Sequence, residues 1–123
     1  MNRNPVGWFE ICVQDMGRAK AFYEAVLGLK LERLQSPGME MLAFPMQPDA
    51  SGAGGALVKM QGFSSGGNST IVYFVSEDCA IEEARVKGNG GRVEKSKISI
   101  GQYGHIALAY DTEGNMFGLH SMK

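Results

Sequence analysis

The sequence predicts an α+β domain of two tandem modules, each a βαβββ unit, from three observations. Its hydrophobic periodicity alternates between strand and helix spacing in the order βαβββ, βαβββ. A shift of about 62 residues superimposes the predicted elements of the two halves, which indicates a structural repeat. The 123 residues, 44% hydrophobic and 20% charged, suffice for one modest core. We therefore expect a single domain over residues 1–123, with modules at about 5–61 and 68–122.

The first module begins with an aromatic and β-branched strand over residues 6–13. A helix follows, because four apolar residues share one helical face: Ala19, Phe22, Tyr23 and Val26. Asp15 is placed to cap the first turn of this helix, and Gly28 to end it. Alternating apolar residues, separated by turn and loop residues at 36–38 and 45–54, predict the remaining strands at 29–34, 39–44 and 55–60.

The second module repeats this order. A β-branched and aromatic strand is predicted at 70–75, followed by a short helix that Asp78 caps and that ends at Lys87, before the glycines of 88–91. The remaining strands are predicted at 92–95, 104–110 and 115–120, the last two forming a hairpin across 111–114. In the 62-residue shift, Trp8 pairs with Thr70 and Ala56 pairs with Gly118.

Charge and composition exclude several classes of partner. Twelve basic and thirteen acidic residues give a net charge of −1, so we expect neither nucleic acid nor an anionic membrane as a partner. The sequence contains no apolar run of membrane-spanning length and no signal-peptide pattern, which favours a cytoplasmic protein. Its two cysteines form neither a disulfide framework nor a metal-binding motif.

Two βαβββ halves of this length resemble the vicinal oxygen chelate superfamily, which includes glyoxalase I, bleomycin-resistance proteins and extradiol dioxygenases. The most similar stretches are GWFEICVQDM at 7–16, AKAFY at 19–23, VLG at 26–28 and the closing hairpin DTEGNMFGLH at 111–120. The resemblance implies an incomplete barrel of the glyoxalase/bleomycin-resistance type, with the helices outside and a ligand cavity inside. It also implies a homodimer, because many members complete their cavities by dimerising.

The resemblance also indicates where a metal would be held. The metal ligands of the enzymes in this superfamily correspond to Trp8, Thr70 and positions close to Ala56 and Gly118. None of these side chains is a donor that a divalent metal prefers, so we expect no metal and no cofactor at these positions. One alternative set has suitable chemistry, since two histidines and a carboxylate can bind a metal: Glu10, His105 and His120.

The cavity implied by the fold has a predicted lining of eight residues: Trp8, Glu10, Met41, Met60, Thr70, His105, Gly118 and His120. Trp8 is either a stacking platform for a planar ligand or a packing residue. Glu10 is either paired, reached by solvent or raised in pKa, and only the last case would make it a general base.

Three hypotheses about function remain open. The first is a dimeric, metal-free protein that binds a moderately apolar, planar small molecule in the sheet cavity. The second is a lyase, isomerase or dioxygenase of the same superfamily, which uses Glu10 as a base or the alternative metal set. The third, a protein-interaction module, has only the expected dimerisation in its favour. Fold alone does not decide between them.

Overall fold

The computed structural model describes residues 4–123 and contains the ten predicted elements in the predicted order. The first module consists of β1 (Trp8–Cys12), α1 (Met16–Leu27), β2 (Glu32–Arg33), β3 (Glu40–Ala43) and β4 (Gly54–Lys59). The second consists of β5 (Val72–Val75), α2 (Cys79–Val86), β6 (Arg92–Ser99), β7 (His105–Tyr110) and β8 (Met116–Ser121). Short 3₁₀ turns lie at Lys87–Asn89 and Gly101–Tyr103.

Each module forms its own four-stranded sheet, and the two sheets have equivalent topology. The strand orders are β1-β4-β3-β2 in the first sheet and β5-β8-β7-β6 in the second. The opening strand of each module pairs in parallel with the closing strand, and the other pairs are antiparallel. The predicted fold class, an α+β fold of tandem βαβββ modules with open sheets, is confirmed.

The helix ends follow the sequence signals. An Asp15 side-chain oxygen accepts a hydrogen bond from the Arg18 N–H at 3.1 Å, and Asp78 accepts one from the Ala80 N–H at 3.0 Å. Gly28 ends α1 with φ at 68°, in the left-handed region that glycine adopts without strain. No helix in the described part of the chain is both long and apolar enough to span a bilayer.

The largest differences from the predicted strands lie in β2 and β6. β2 is only two residues long, whereas the sequence predicted a strand over 29–34. β6 continues to Ser99, beyond the predicted end at 95, and its pairing with β7 shifts register twice, between Val93 and Lys95 and between Lys95 and Ile98. These irregularities interrupt the alternation of side chains, which is why the periodicity of the sequence did not reveal the whole strand.

The repeat also differs by one residue in its opening strand. Glu10 lies opposite Ala56 in the first sheet, and Tyr73 lies opposite Gly118 in the second. Glu10 therefore corresponds to Tyr73, and Thr70 is not the equivalent of Trp8, because Thr70 precedes β5. A single shift did not reveal this, because the opening strands are 63 residues apart (Glu10 to Tyr73) whereas the closing strands are 62 residues apart (Ala56 to Gly118).

One aromatic core joins the two modules. The Tyr23 ring of α1 lies 5.7 Å from Phe44 in the first module and 5.9 and 5.6 Å from Phe74 and Phe117 in the second, measured between ring centroids. Phe22 packs edge-on against Phe117, with centroids 5.8 Å apart. Because α1 packs against residues of both sheets, the modules share a single hydrophobic core.

A buried polar turn between β7 and β8 meets this core. The Tyr23 hydroxyl donates to the Asp111 carboxylate at 2.6 Å, and the other Asp111 oxygen accepts from the N–H groups of Glu113 and Asn115 at 2.7 and 2.9 Å. Burial raises the pKa of the Tyr23 hydroxyl well above its usual value, and the Asp111 carboxylate adds to the shift. The hydroxyl therefore stays protonated and remains a donor.

Glu113 of the same turn holds the start of α1. Its carboxylate accepts hydrogen bonds from the N–H groups of Gln14 and Asp15 at 2.6 and 3.1 Å. It also accepts two from the Arg18 guanidinium, at 2.9 Å from Nε and 2.6 Å from Nη2. The Glu113 side chain is fully buried, whereas that of Arg18 is 54% exposed. A carboxylate of the second module thus satisfies the amino end of a helix in the first.

The contact between Glu113 and Arg18 predicts that removing the two side chains lowers the free energy of unfolding by unequal amounts. Replacing Glu113 by Ala leaves four partly buried donor groups without their acceptor, and we expect the free energy of unfolding to fall by about 3 kcal/mol in urea titrations. Arg18→Ala is the matched control and should cost clearly less, because the guanidinium is half exposed. Equal losses for the two variants would contradict this role of Glu113.

Candidate functional site

Each sheet has one face packed against the helices. The opposite face, called the outer face here, is the side on which the resemblance places the ligand cavity. In β1, Phe9 and Ile11 pack with the core, so Trp8 and Glu10 lie on the outer face of the first sheet. Cross-strand pairing places Met41 and Ala56 on the same face. By the same alternation, the outer face of the second sheet carries four residues of interest: Tyr73, Val75, Gly118 and His120.

Trp8 and Glu10 form a pair on the outer face of the first sheet. The indole Nε1–H donates to the Glu10 carboxylate at 3.1 Å, and the Trp8 side chain is 40% exposed. Glu10 is exposed as well. Of the alternatives for Glu10, the structure therefore shows a carboxylate that is both paired and reached by solvent. The burial on which its role as a general base depended is not present.

Tyr73 is a residue of the outer face that the sequence analysis did not single out. Its ring lies directly over Gly118, where a Cβ atom would overlap the ring. Tyr73 is 44% exposed and occupies the position that Glu10 has in the first sheet. The alternation of side chains within YFVS (73–76) would have placed Tyr73 on this face if the opening strands had been aligned with a shift of 63 residues instead of 62.

The two histidines lie on opposite faces of the second sheet. His105 lies opposite Ser121, whose hydroxyl accepts from the Cys79 N–H at the start of α2, so His105 is on the helix side. His120 is on the outer face, and its Nε2 donates to the Tyr103 carbonyl oxygen at 2.7 Å. Glu10, His105 and His120 therefore do not converge. Across residues 4–123 no group of three or more His, Cys, Asp or Glu side chains is placed to hold a metal.

The positions that the resemblance assigns to metal ligands carry no side chain that a divalent ion prefers. Trp8, Ala56 and Gly118 supply no lone pair for a divalent ion, and Thr70 lies outside the strands, on an exposed stretch before β5. The one buried imidazole nitrogen without a partner among the described residues, Nδ1 of His105, is on the helix side of its sheet. Among residues 4–123, the four residues that the resemblance names therefore belong to no candidate metal site.

A cavity of about 260 Å³ lies between the two modules. β1 forms one wall with four consecutive residues, Phe9, Glu10, Ile11 and Cys12. The rest is formed by the linker between β4 and β5 (residues 60–71), the start of β5 and the start of β8. The residues concerned are Ser64, Gly66, Asn68, Thr70, Val72, Asn115 and Met116. This cavity, called the inter-module pocket below, includes Glu10 and Thr70 among the eight predicted lining residues and none of the other six.

Side-chain amides hold the linker wall of this pocket in place. Asn115 Oδ1 accepts from the Gly66 N–H at 2.6 Å. Asn68 Nδ2 donates to the carbonyl oxygens of Thr70 and Met116 at 2.7 and 3.1 Å, and its Oδ1 accepts from the Met116 N–H at 3.0 Å. A segment rich in glycine and serine is thereby fixed against the hairpin of the second module. The sequence predicted only a boundary between the modules there.

The methionines do not form one wall. Met41 lies on the outer face of the first sheet, opposite Val58. Met60 lies in a separate, more open groove of about 650 Å³, lined by Gln14, Gly38, Met39, Glu40, Lys59, Met60, Gln61 and Gly62. Met41 and Met60 therefore lie in different places on the first module.

Comparison with known proteins connects the N-terminal third of the chain to a family. Residues 6–45 match the family model described as bleomycin resistance protein-like N-terminal. No curated protein shows significant sequence similarity to this chain.

Solved structures extend the likeness to the whole chain. A hypothetical protein from S. aureus is 21% identical with a TM-score of 0.71, covering 94% of this chain and 96% of its own. TnmS3, an antibiotic binding protein from Streptomyces sp. CB03234, is 24% identical with a TM-score of 0.73, and 98% of each chain is covered. The E144Q mutant of glyoxalase I from Zea mays is 21% identical with a TM-score of 0.72, covering 93% of this chain but only 43% of the enzyme. At these identities the likeness shows a shared fold.

The side chains of Trp8, Ala56, Thr70 and Gly118 lead to a prediction about metals. We expect Ni²⁺, Zn²⁺, Mn²⁺ and Fe²⁺ to leave the melting temperature of the purified protein within about 1 °C of its value in chelator, because only a ligand that binds the folded state raises it. A stoichiometric metal, or a shift of several degrees that chelator reverses, would contradict this. His105→Ala and His120→Ala would then show which face holds the ion.

Proposed function

We propose that this chain, which has the vicinal oxygen chelate fold and a bleomycin resistance protein-like N-terminal segment, binds a small and largely apolar molecule between its modules. The inter-module pocket carries the proposal. Its walls combine the apolar side chains of Phe9, Ile11, Val72 and Met116 with a few fixed polar groups, which is the usual make-up of a ligand site.

The size of the pocket limits the ligand. Sites for drug-sized molecules are roughly 300–1,000 Å³, and the inter-module pocket is about 260 Å³. It therefore suits a molecule of about two fused rings, or one arm of a larger molecule. An antibiotic binding protein shares the fold over nearly the whole of both chains, which supports binding as a use of this architecture. The fold alone does not choose the ligand.

We further propose that the protein works as a homodimer in which a second copy covers the outer faces. On the outer face of the second sheet, Val75 is 90% exposed and the half-exposed Tyr73 lies two residues before it on β5, while the half-exposed Ile98 lies on β6 at the opposite edge. Such an apolar surface on a sheet is typical of an interface.

Charge favours contact between unlike faces of the two copies. Glu32 pairs with Ala43 and Glu10 pairs with Ala56, so both carboxylates lie on the outer face of the first sheet. Lys95 pairs with Leu108 and therefore lies on the outer face of the second sheet. The first face is therefore acidic and the second basic, so the first sheet of one copy complements the second sheet of its partner. In this arrangement the dimer has two equivalent interfaces, as twofold symmetry requires.

Filling the pocket tests the binding proposal. The probes are quinoline and 2-naphthol, titrated against ¹⁵N-labelled protein while the amide resonances of residues 9–12 are followed. We expect Val72→Phe to weaken binding at least tenfold, because the larger side chain occupies the pocket, and Ile81→Phe, on the exposed side of α2, to leave it unchanged. Failure of both probes to bind, or equal binding by the two variants, would contradict the proposal.

A charge placed on the apolar outer face tests the dimer. We expect light scattering with size-exclusion chromatography to give twice the mass of 13.3 kDa for the wild-type chain and for Ile81→Asp, and the monomer mass for Val75→Asp. The reason is that Val75→Asp would bury an unpaired carboxylate between two sheets, whereas Ile81 lies on the helix side. A wild-type monomer, or a Val75→Asp dimer, would show that this face is not the interface.

A further inference from the structure

The inter-module pocket runs along the edge of a strand rather than over the face of a sheet. Successive side chains of a strand point to opposite faces, so a cavity on one face contacts every second residue. Here four consecutive residues of β1, from Phe9 to Cys12, line the same cavity. The cavity must therefore lie beside the backbone of β1, in the place that a neighbouring strand would occupy.

β1 presents unpaired backbone groups on this side. Within residues 4–123 it is an edge strand, and β4 is the strand that it pairs with. The Val13 N–H donates to the Val58 carbonyl at 2.9 Å, and in a parallel pair alternate residues form the ladder. Phe9, Ile11 and Val13 thus bond to β4, and the N–H and C=O groups of Glu10 and Cys12 point to the free edge, into the pocket.

One of these groups already has a partner from the second module. Asn115 Nδ2 donates to the Cys12 carbonyl oxygen at 2.9 Å, as the backbone of a neighbouring strand would. The Glu10 N–H, the Glu10 carbonyl and the Cys12 N–H have no hydrogen-bond partner among residues 4–123. A donor, an acceptor and a second donor therefore follow one another along the wall of a largely apolar pocket.

The remaining polar groups of the pocket limit the charge of an occupant. Glu10 is the only ionisable carboxylate in the lining, which contains no Lys, Arg or His. The amides of Asn68 and Asn115 are engaged in holding the linker. An anionic ligand would find no cation there, so a neutral or cationic ligand is favoured.

We propose that the pocket binds a neutral or cationic ligand that contains an extended peptide-type unit, which adds to the free edge of β1. An exposed strand edge is a ready template for an extended chain with alternating N–H and C=O groups. The ligand N–H would donate to the Glu10 carbonyl, its C=O would accept from the Glu10 or Cys12 N–H, and its side chain would lie against Val72 and Met116. This inference rests on the proposed function and names the chemistry of the ligand.

A pair of ligands tests the edge directly. The probe is N-acetyl-leucine N-methylamide, compared with the ester analogue in which the leucine N–H is replaced by oxygen. We expect the amide to bind at least tenfold more tightly, to shift the Glu10 and Cys12 amide protons downfield and to slow their exchange with solvent. Equal binding of amide and ester, or binding that leaves these two protons unchanged, would overturn the proposal.

A matched pair of variants gives a second test. Glu10→Pro and Glu10→Ala both remove the carboxylate, but only proline also removes the N–H, and proline is tolerated on an edge strand where that group is unpaired. We expect Glu10→Pro to bind the amide probe at least tenfold more weakly than Glu10→Ala. Equal binding by two folded variants would overturn the proposal. If Glu10→Pro does not fold, the amide and ester comparison on the wild-type chain decides.

The outcomes separate this inference from the proposed function. If quinoline or 2-naphthol binds in the pocket while amide and ester probes behave alike, small-molecule binding stands and edge recognition fails. If none of the four compounds binds, both fail.

Discussion

The arrangement of this molecule depends on the buried turn between β7 and β8. Glu113 gathers four donors at the start of α1, and Asp111 accepts from Tyr23 in the middle of the same helix. Asn115 then reaches β1 through the Cys12 carbonyl and the linker through the Gly66 N–H. One turn of the second module thereby fixes the helix, the opening strand and the linker. The inter-module pocket exists because these parts are held at a set distance.

Burying two carboxylates is costly, and the turn offsets that cost by satisfying nearly every lone pair. Asp111 is surrounded by neutral donors, whereas Glu113 has an ion pair with a half-exposed arginine in addition to two backbone N–H groups just before α1. Such a network is stable in only one geometry, because each lost bond leaves a buried group unpaired. The aromatic core around Tyr23 tolerates small displacements better, so the polar turn, rather than the core, sets the orientation of the modules.

The sequence predicted what depends on local order. The spacing of Ala19, Phe22, Tyr23 and Val26 and the caps at Asp15 and Asp78 suffice for the helices, and the repeat suffices for the topology. It did not predict the role of 111–115, because a polar hairpin turn is usually solvated and only contacts about a hundred residues away in the chain bury this one. The pocket was missed for a related reason. Side-chain alternation identifies the faces of a strand, but a site at its edge consists of backbone groups that every sequence possesses.

The two faces and the edge of β1 therefore serve different purposes. Its odd-numbered side chains belong to the core and their backbone groups to β4, while Trp8 and Glu10 lie on the outer face that we assign to the dimer. What remains is the edge, enclosed by a linker that Asn68 and Asn115 hold in place. Under the proposed function, β1 binds a small molecule through the backbone groups of this edge. The specificity then comes from the side chains that form the walls around the edge.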